Sequence, residues 1–321
     1  MPMKILYISN DWSGVASGIV TEMRGLGHEV LYLENGDISR IDNLSSHQRI
    51  VNFLFRAFTN KSLKKRRQSL SISRFLDGFI VDRDFDITIM NTPDIYERSN
   101  LEKLKSISGS FVCHLWDSVQ KMPENLKNID LFDTVFSFDD KDVARYGFSP
   151  VTNYIDGALE ILSPSREIEG DLFGVFSYDS RYKTLVKILD ANPSLKCMFV
   201  VYIHHPRRRK KVKDPRIMVI TSPLTGDELR AISSRYTAVL DLAHSVQRGL
   251  SFRFYESVGQ GQKLVTTNGT VVDSVMFDPN NIFVLDESNM VIDDGFFSSP
   301  FVPITDEIAA PYRAKNWVLD I

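Results

Sequence analysis

Short apolar runs recur along this chain, separated by amphipathic segments of helix length. Lys4–Ser9 (KILYIS), His28–Leu33 (HEVLYL), Asp86–Met90 (DITIM), Ser110–Leu115 (SFVCHL) and Thr134–Phe138 (TVFSF) are rich in β-branched or aromatic side chains. Runs of that length suit parallel strands covered on both faces. A helix through Val20 and Met23 lies between the first two, closed by Gly25 and Gly27. The pattern repeats further on. Strands are predicted at Leu172–Phe176, Met198–Ile203, Ile217–Ile220, Tyr236–Leu242, Lys263–Thr267 and Asn281–Leu285. Helices are predicted at Tyr182–Asp190 and at Leu224–Ser234, the latter capped by Thr225, with a short helix or turn at Val271–Phe277. Such alternation predicts α/β architecture, two doubly wound domains with parallel sheets. Between Pro150 and Gly170 the sequence holds Pro, Gly and Ser without a sustained period, which puts the boundary there. The expected domains are 1–160 and 161–300, followed by a tail, 301–321, with a helix over Thr305–Ile321.

Bulk composition agrees with two domains and removes some function classes. The chain has 321 residues, 43% hydrophobic and 25% charged, as in a globular protein. A net charge of -3 gives no global attraction to nucleic acid. Cys113 and Cys197 sit inside apolar runs, without metal-ligand spacing, and read as buried reduced thiols. The opening MPMKILYIS is unlike a signal peptide, and no apolar segment approaches the ~20 residues needed to cross a bilayer. The expected location is cytoplasmic.

Local charge adds to this picture. Ser45–Phe58 (SSHQRIVNFLFRAF) reads as an amphipathic, phenylalanine-rich helix, followed by Lys61, Lys64, Lys65, Arg66 and Arg67. One reading is peripheral contact with an anionic membrane at the inner face of the cytoplasmic membrane, each cation contributing ~1 kcal/mol. The other is a core helix followed by a solvated basic face. A second basic run, Arg207–Lys213, is either a solvated loop or a source of cations near a diphosphate.

Open α/β sheets bind ligands beyond the carboxyl ends of their strands. Asn10–Gly14, Asn91–Asp94, Trp116–Ser118 and Asp139–Asp140 all occupy such places. The first of these loops lacks G-x-G-x-x-G, which argues against NAD. Asp139, Asp140 and Asp142 invite a metal, but Asp139 is placed to cap a helix starting at Lys141. Adjacent His204 and His205 on a strand would point to opposite faces and cannot readily share a metal. The densest stretch is Gln247–Asn268 (QRGLSFRFYESVGQGQKLVTTN), a glycine turn, a helix with Arg253 and Glu256, and a strand. With Tyr236–Leu242 before it, this makes a βαβ unit. Its Arg and Glu either face a ligand or form a solvated surface pair.

Several segments together resemble the bacterial glycosyltransferases of lipopolysaccharide and capsule gene clusters. They are HLWDS at 114–118, FDTVFSFDDKDVARY at 132–146, LTGDELRAISSRYTAVLDL at 224–242, the 247–268 stretch, MFDPNNIFVLD at 276–286 and YRAKNWVLDI at 312–321. The resemblance implies the GT-B architecture, two Rossmann-like domains facing across a cleft, with a C-terminal helix returning to the N-terminal domain. It implies transfer of a sugar from a nucleotide-sugar donor to a cell-surface glycan or lipid-linked acceptor, with no metal or other cofactor. Arg181 and Arg253 would meet the leaving phosphates, helped by backbone N–H groups of a loop that includes Ser177. Glu256 resembles the carboxylate that binds ribose hydroxyls. Gln247, Gly249, Ser251, Thr267 and Asn268 complete the donor set. Asp117, then Asp11, then His114 are the candidate catalytic bases on the acceptor side. Trp116 either stacks on a sugar or plugs the domain interface.

The family's usual Thr is Ser251 here, and Gly174 lies within the strand where the family has a glycine in the following turn. Two rival functions share the scaffold: a non-catalytic nucleotide- or sugar-binding protein, and a two-Rossmann nucleotide-sugar epimerase.

Overall fold

The computed structural model describes residues 1–11, 14–38, 63–157, 161–163, 165–204, 206–243 and 249–320. The expected helix at 45–58, Lys61, His205 and Gln247 lie outside the described residues, as do the side chains of Lys64, Lys65 and Arg66.

The chain forms two compact units, one of Met1–Asp11 with Val20–Val151, the other of Trp12–Ile19 with Thr152–Ile321. The described elements of the first half are β1 (Lys4–Ser9), α1 (Val15–Gly25), β2 (Glu29–Glu34), α2 (Asn35–Ile38), α3 (Leu63–Phe79), β3 (Phe85–Met90), α4 (Arg98–Ser106), β4 (Ser108–Leu115), β5 (Thr134–Ser137), α5 (Asp140–Tyr146) and β6 (Ser149–Pro150). Their six strands form one parallel sheet in the order β2-β1-β3-β4-β5-β6. On one of its faces Ile72 and Leu76 of α3 and Leu101 and Leu104 of α4 pack with Leu6, Ile8, Phe111 and Cys113. Asp139 caps α5 as expected, accepting from the Lys141 N–H at 3.0 Å.

The second unit holds β7 (Gly170–Ser177), α6 (Tyr182–Ala191), β8 (Cys197–Tyr202), β9 (Ile217–Ile220), α7 (Gly226–Ser233), β10 (Tyr236–Asp241), α8 (Phe252–Gln260), β11 (Lys263–Thr266), β12 (Ile282–Val284), α9 (Asp294–Ser298), α10 (Asp306–Ala309) and α11 (Ala314–Asp320). Its sheet is parallel throughout, in the order β12-β11-β10-β7-β8-β9. Alternation along the strands feeds two cores. Leu172, Phe176, Phe199, Val201 and Leu240 pack with Leu185 and Ile188 of α6. Phe173, Val200, Val239 and Leu264 pack with Phe254 and Tyr255 of α8. Gly174 sits where β7 meets β10, because a Cβ there would lie 2.8 Å from Phe176 Cε2 and 3.3 Å from Leu240 Cβ.

The tail is not one helix. Pro311 has no N–H to continue α10, and Arg313 is extended at φ -69°, ψ 141°. That break lets the tail zip onto the start of its own unit. Ile155 N–H donates to Tyr312 O at 2.7 Å, Ala314 N–H to Ile155 O at 2.9 Å, and Trp317 Nε1–H to Thr152 O at 2.7 Å. Trp317 is buried against Tyr154. These bonds explain why the residues from Thr152 onward count with the second unit rather than dividing at 160.

Candidate functional site

In the second unit, polar side chains converge where β7, β10 and β11 end. Asp241, the last residue of β10, is 8% exposed. It accepts a hydrogen bond from Thr266 Oγ1 at 3.1 Å and another from the Ser251 hydroxyl. Burial raises its pKa, against the lowering pull of those hydroxyls and of the Arg253 and Arg181 guanidiniums. Two cations thus face one desolvated carboxyl group, a setting in which an arriving anion finds positive charge in place.

Arg181 is held before any ligand arrives. Its Nε donates to both Asp179 oxygens at 3.0 Å and its Nη2 to Oδ2 at 2.6 Å, while Nη1 reaches Leu242 O at 3.4 Å. The guanidinium also lies 5.4 Å from the centre of the Phe176 ring. Asp179 Oδ1 accepts the Arg181 N–H at 2.9 Å, so an Asx turn shapes the loop after β7 and no glycine is needed. Ser177, the last residue of β7, is exposed.

Ser251 is the N-cap of α8, its hydroxyl accepting from the Phe254 N–H at 3.3 Å. Arg253 and Glu256 follow on one face of the helix and pair at 2.9 Å, their side chains 22% and 25% exposed. With Gly226, Leu229, Arg230, Ser233 and Gln260 they line a notch of about 10 Å³ beside α7, room for roughly one water molecule. α7 begins with a full capping box, Thr225 Oγ1 accepting from Glu228 N–H at 3.2 Å and Glu228 Oε2 from Thr225 N–H at 2.8 Å.

Thr267 and Asn268 do a different job. Thr267 Oγ1 accepts the Ala243 N–H at 3.0 Å, and Asn268 Nδ2 donates to Gly249 O at 3.2 Å. Asn268 Oδ1 accepts from Thr270 as well, at 3.1 Å from its N–H and 2.8 Å from its hydroxyl. The two side chains therefore hold both ends of the loop between β10 and α8.

The three residues expected on the acceptor side, Asp117, Asp11 and His114, belong to the first unit. Asp117 lies just beyond β4 and its carboxylate is 2.5 Å from Lys121 Nζ. Burial raises the phenol pKa values of Tyr7 and Tyr32, and Asp11, beyond β1, adds to the rise of both. His114 needs correcting. It is fully buried within β4, its Nδ1 accepts from Trp116 Nε1–H at 3.2 Å, and burial pushes its pKa down to about 3. An imidazole that so resists protonation is a poor general base at neutral pH. The same bond accounts for the Trp116 indole N–H.

Asp241, Asp179 and Thr266 were not foreseen. The available signal was a lone aspartate ending an apolar run, YTAVLDL, and an aspartate two residues before an arginine, DSR.

No family model and no curated protein matches the sequence. Solved structures do match. The UDP-GlcNAc 2-epimerase of Methanocaldococcus jannaschii, solved with UDP-GlcNAc and UDP, superposes with a TM-score of 0.57 at 12% identity over 99% of each chain. A second UDP-N-acetylglucosamine 2-epimerase gives 0.53 at 11% identity, over 99% of this chain and 94% of its own. The DNA-modifying β-glucosyltransferase, studied with and without uridine diphosphoglucose, gives 0.51 at 12% identity over 99% and 94%. Likeness at such low identity speaks for the fold, two parallel-sheet α/β domains of the GT-B type.

Proposed function

We propose that this chain is a metal-independent glycosyltransferase, moving a sugar from a nucleotide-sugar donor to a glycan or lipid-linked acceptor of the cell surface. The observation that supports it most is the placing of Arg181 and Arg253 around buried Asp241, at the carboxyl ends of three parallel strands. Breaking the sugar–phosphate bond leaves negative charge on the nucleotide. The two guanidiniums are the groups this chain offers to that charge. Asp179 fixes Arg181 in advance, so little reorganisation is needed at the moment of reaction. Glu256, held by Arg253, is assigned to the ribose hydroxyls. Ser251, Thr267 and Asn268 shape the pocket by holding α8 and the loop before it. Asp117 is our base, kept in place by Lys121, with Asp11 second.

Among the described residues no helix is long and apolar enough to cross a membrane. We assign the acceptor to the lipopolysaccharide or capsule class on the sequence resemblance. Peripheral attachment would use the basic sequence run Lys61, Lys64, Lys65, Arg66 and Arg67; in α3, Arg67 and Leu70 are exposed.

The second reading is a nucleotide-sugar 2-epimerase, favoured by the two epimerases that share the scaffold. Incubation with labelled nucleotide sugars, with and without acceptor extract, separates the two. Acceptor-dependent release of the nucleotide is expected, with Asp117→Asn binding nucleotide normally but losing turnover. An epimerised nucleotide sugar formed from donor alone would assign the second reading. Binding without turnover would make the protein a scaffold.

A further inference from the structure

The second unit carries a concentration of one charge sign that the nucleotide site does not use. Pro206–Lys211, a 3-10 turn of sequence PRRRKK, leaves the sheet beyond the carboxyl end of β8, and Lys213 follows. Arg207, Arg209, Lys210, Lys211 and Lys213 are all exposed. Other arginines near strand ends in this unit come with carboxylates: Arg181 with Asp179, and Arg216 with both Asp214 and Asp190, each at 2.6 Å. Among the described residues none of the turn's cations is in an ion pair of this kind. Such a cluster repels itself in the free protein and raises the local concentration of anions.

The turn is fixed to the site. Val212 packs on the core that contains Phe176 and Leu185. Tyr182 Oη accepts the backbone N–H groups of Lys213 at 3.0 Å and Asp214 at 3.2 Å, and Tyr182 follows Arg181 directly. β8 pairs with β7, setting Tyr202 opposite Ser177, and Tyr178 N–H donates to Tyr202 O at 2.9 Å. The basic turn and the Arg181 loop are therefore neighbours on one sheet edge.

Charge and size indicate what fits. A nucleoside diphosphate already has Arg181 and Arg253, so the further cations exceed its need. A six-residue 3-10 turn extends about 12 Å at about 2 Å per residue, the length of a few sugar units. Specific nucleic-acid contact takes a footprint on the order of 1,000 Å², more than a six-residue turn presents. We infer that the 206–213 segment is a binding surface for a polyanionic saccharide, a chain bearing carboxylate or phosphate groups at short intervals, and that the acceptor belongs to this class. Its role as acceptor surface rests on the transferase reading; its binding of an anionic saccharide does not.

Calorimetric titration of the full chain with a heparin-derived hexasaccharide tests this, its sulfates standing in for phosphate and carboxylate. Maltohexaose, a single-stranded hexanucleotide and UDP are titrated in parallel. The variant carries Arg207→Gln, Arg209→Gln, Lys210→Gln and Lys211→Gln, all at exposed positions, and a circular dichroism melt checks its fold. The hexasaccharide should bind the wild type, maltohexaose should not, and the variant should bind the hexasaccharide at least tenfold more weakly. Salt dependence should shrink in the variant, and UDP affinity should stay within twofold. No hexasaccharide binding, or equal binding by both proteins, overturns the inference. So does tighter binding of the hexanucleotide than of the hexasaccharide, or a parallel loss of UDP, which would give the turn to the nucleotide site. Hexasaccharide binding that needs the four cations, in a protein that binds no nucleotide, would sink the transferase reading and leave this surface standing.

Discussion

Burial sets the chemistry of Asp241 before any ligand arrives. Its folded pKa lies above its unfolded value, so the folded state holds the extra proton between the two. The stability this contributes is complete below the unfolded pKa of about 4 and is lost as pH rises through the folded value. Asp241→Asn should remove that loss. Urea unfolding between pH 4 and pH 8 should show wild-type stability falling relative to the variant across the window; parallel curves would mean the carboxyl is not desolvated as described. At this scale the sequence was only partly readable. The family resemblance pointed to Arg181, Ser251, Arg253 and Glu256; the first three act on the carboxyl group of Asp241, and Glu256 pairs with Arg253. Asp241 itself did not stand out, because an aspartate closing an apolar strand looks like a strand end until its neighbours are known. Thr267 and Asn268 looked like ligand contacts, whereas their side chains are committed to Ala243 and Gly249. Asn268→Ala should therefore raise the Kd for nucleotide by loosening the loop, while leaving the salt dependence of binding unchanged.

Elements were easier to see than residues, for a physical reason. A strand covered on both faces has few polar positions, so eleven of the twelve strands stand out as apolar runs, within a residue or two of their observed ends. β6, two residues long and made of Ser149 and Pro150, has no such run. The tail misled because its amphipathic pattern continues through Pro311, where the backbone cannot. Two substitutions measure how elements are held. Gly170 opens β7 where an added Cβ would lie 2.7 Å from Lys196 O and 2.6 Å from the Tyr236 ring. Backbone cannot yield there, so Gly170→Ala should cost ~1–3 kcal/mol in chemical unfolding. Thr225→Ala removes the α7 cap and should cost about 1 kcal/mol. Equal stability of either variant and wild type would contradict the packing described.

For the whole molecule, the two-fold repetition of strand and helix foretold two parallel α/β units, and both sheets have the expected doubly wound order. What the pattern could not specify is the reaction, because one scaffold serves transferases and epimerases alike. The nucleotide site proposed above lies where β7, β10 and β11 end, against Arg181 and Arg253. Calorimetric titration with UDP, the other nucleoside diphosphates and CMP addresses it directly. One of them should bind with one-to-one stoichiometry, and Arg253→Ala should weaken it by about tenfold to a hundredfold, the worth of a lost charge-assisted hydrogen bond of ~1.5–3 kcal/mol. Failure of every nucleotide to bind, or equal affinity in wild type, Arg181→Ala and Arg253→Ala, would contradict the account.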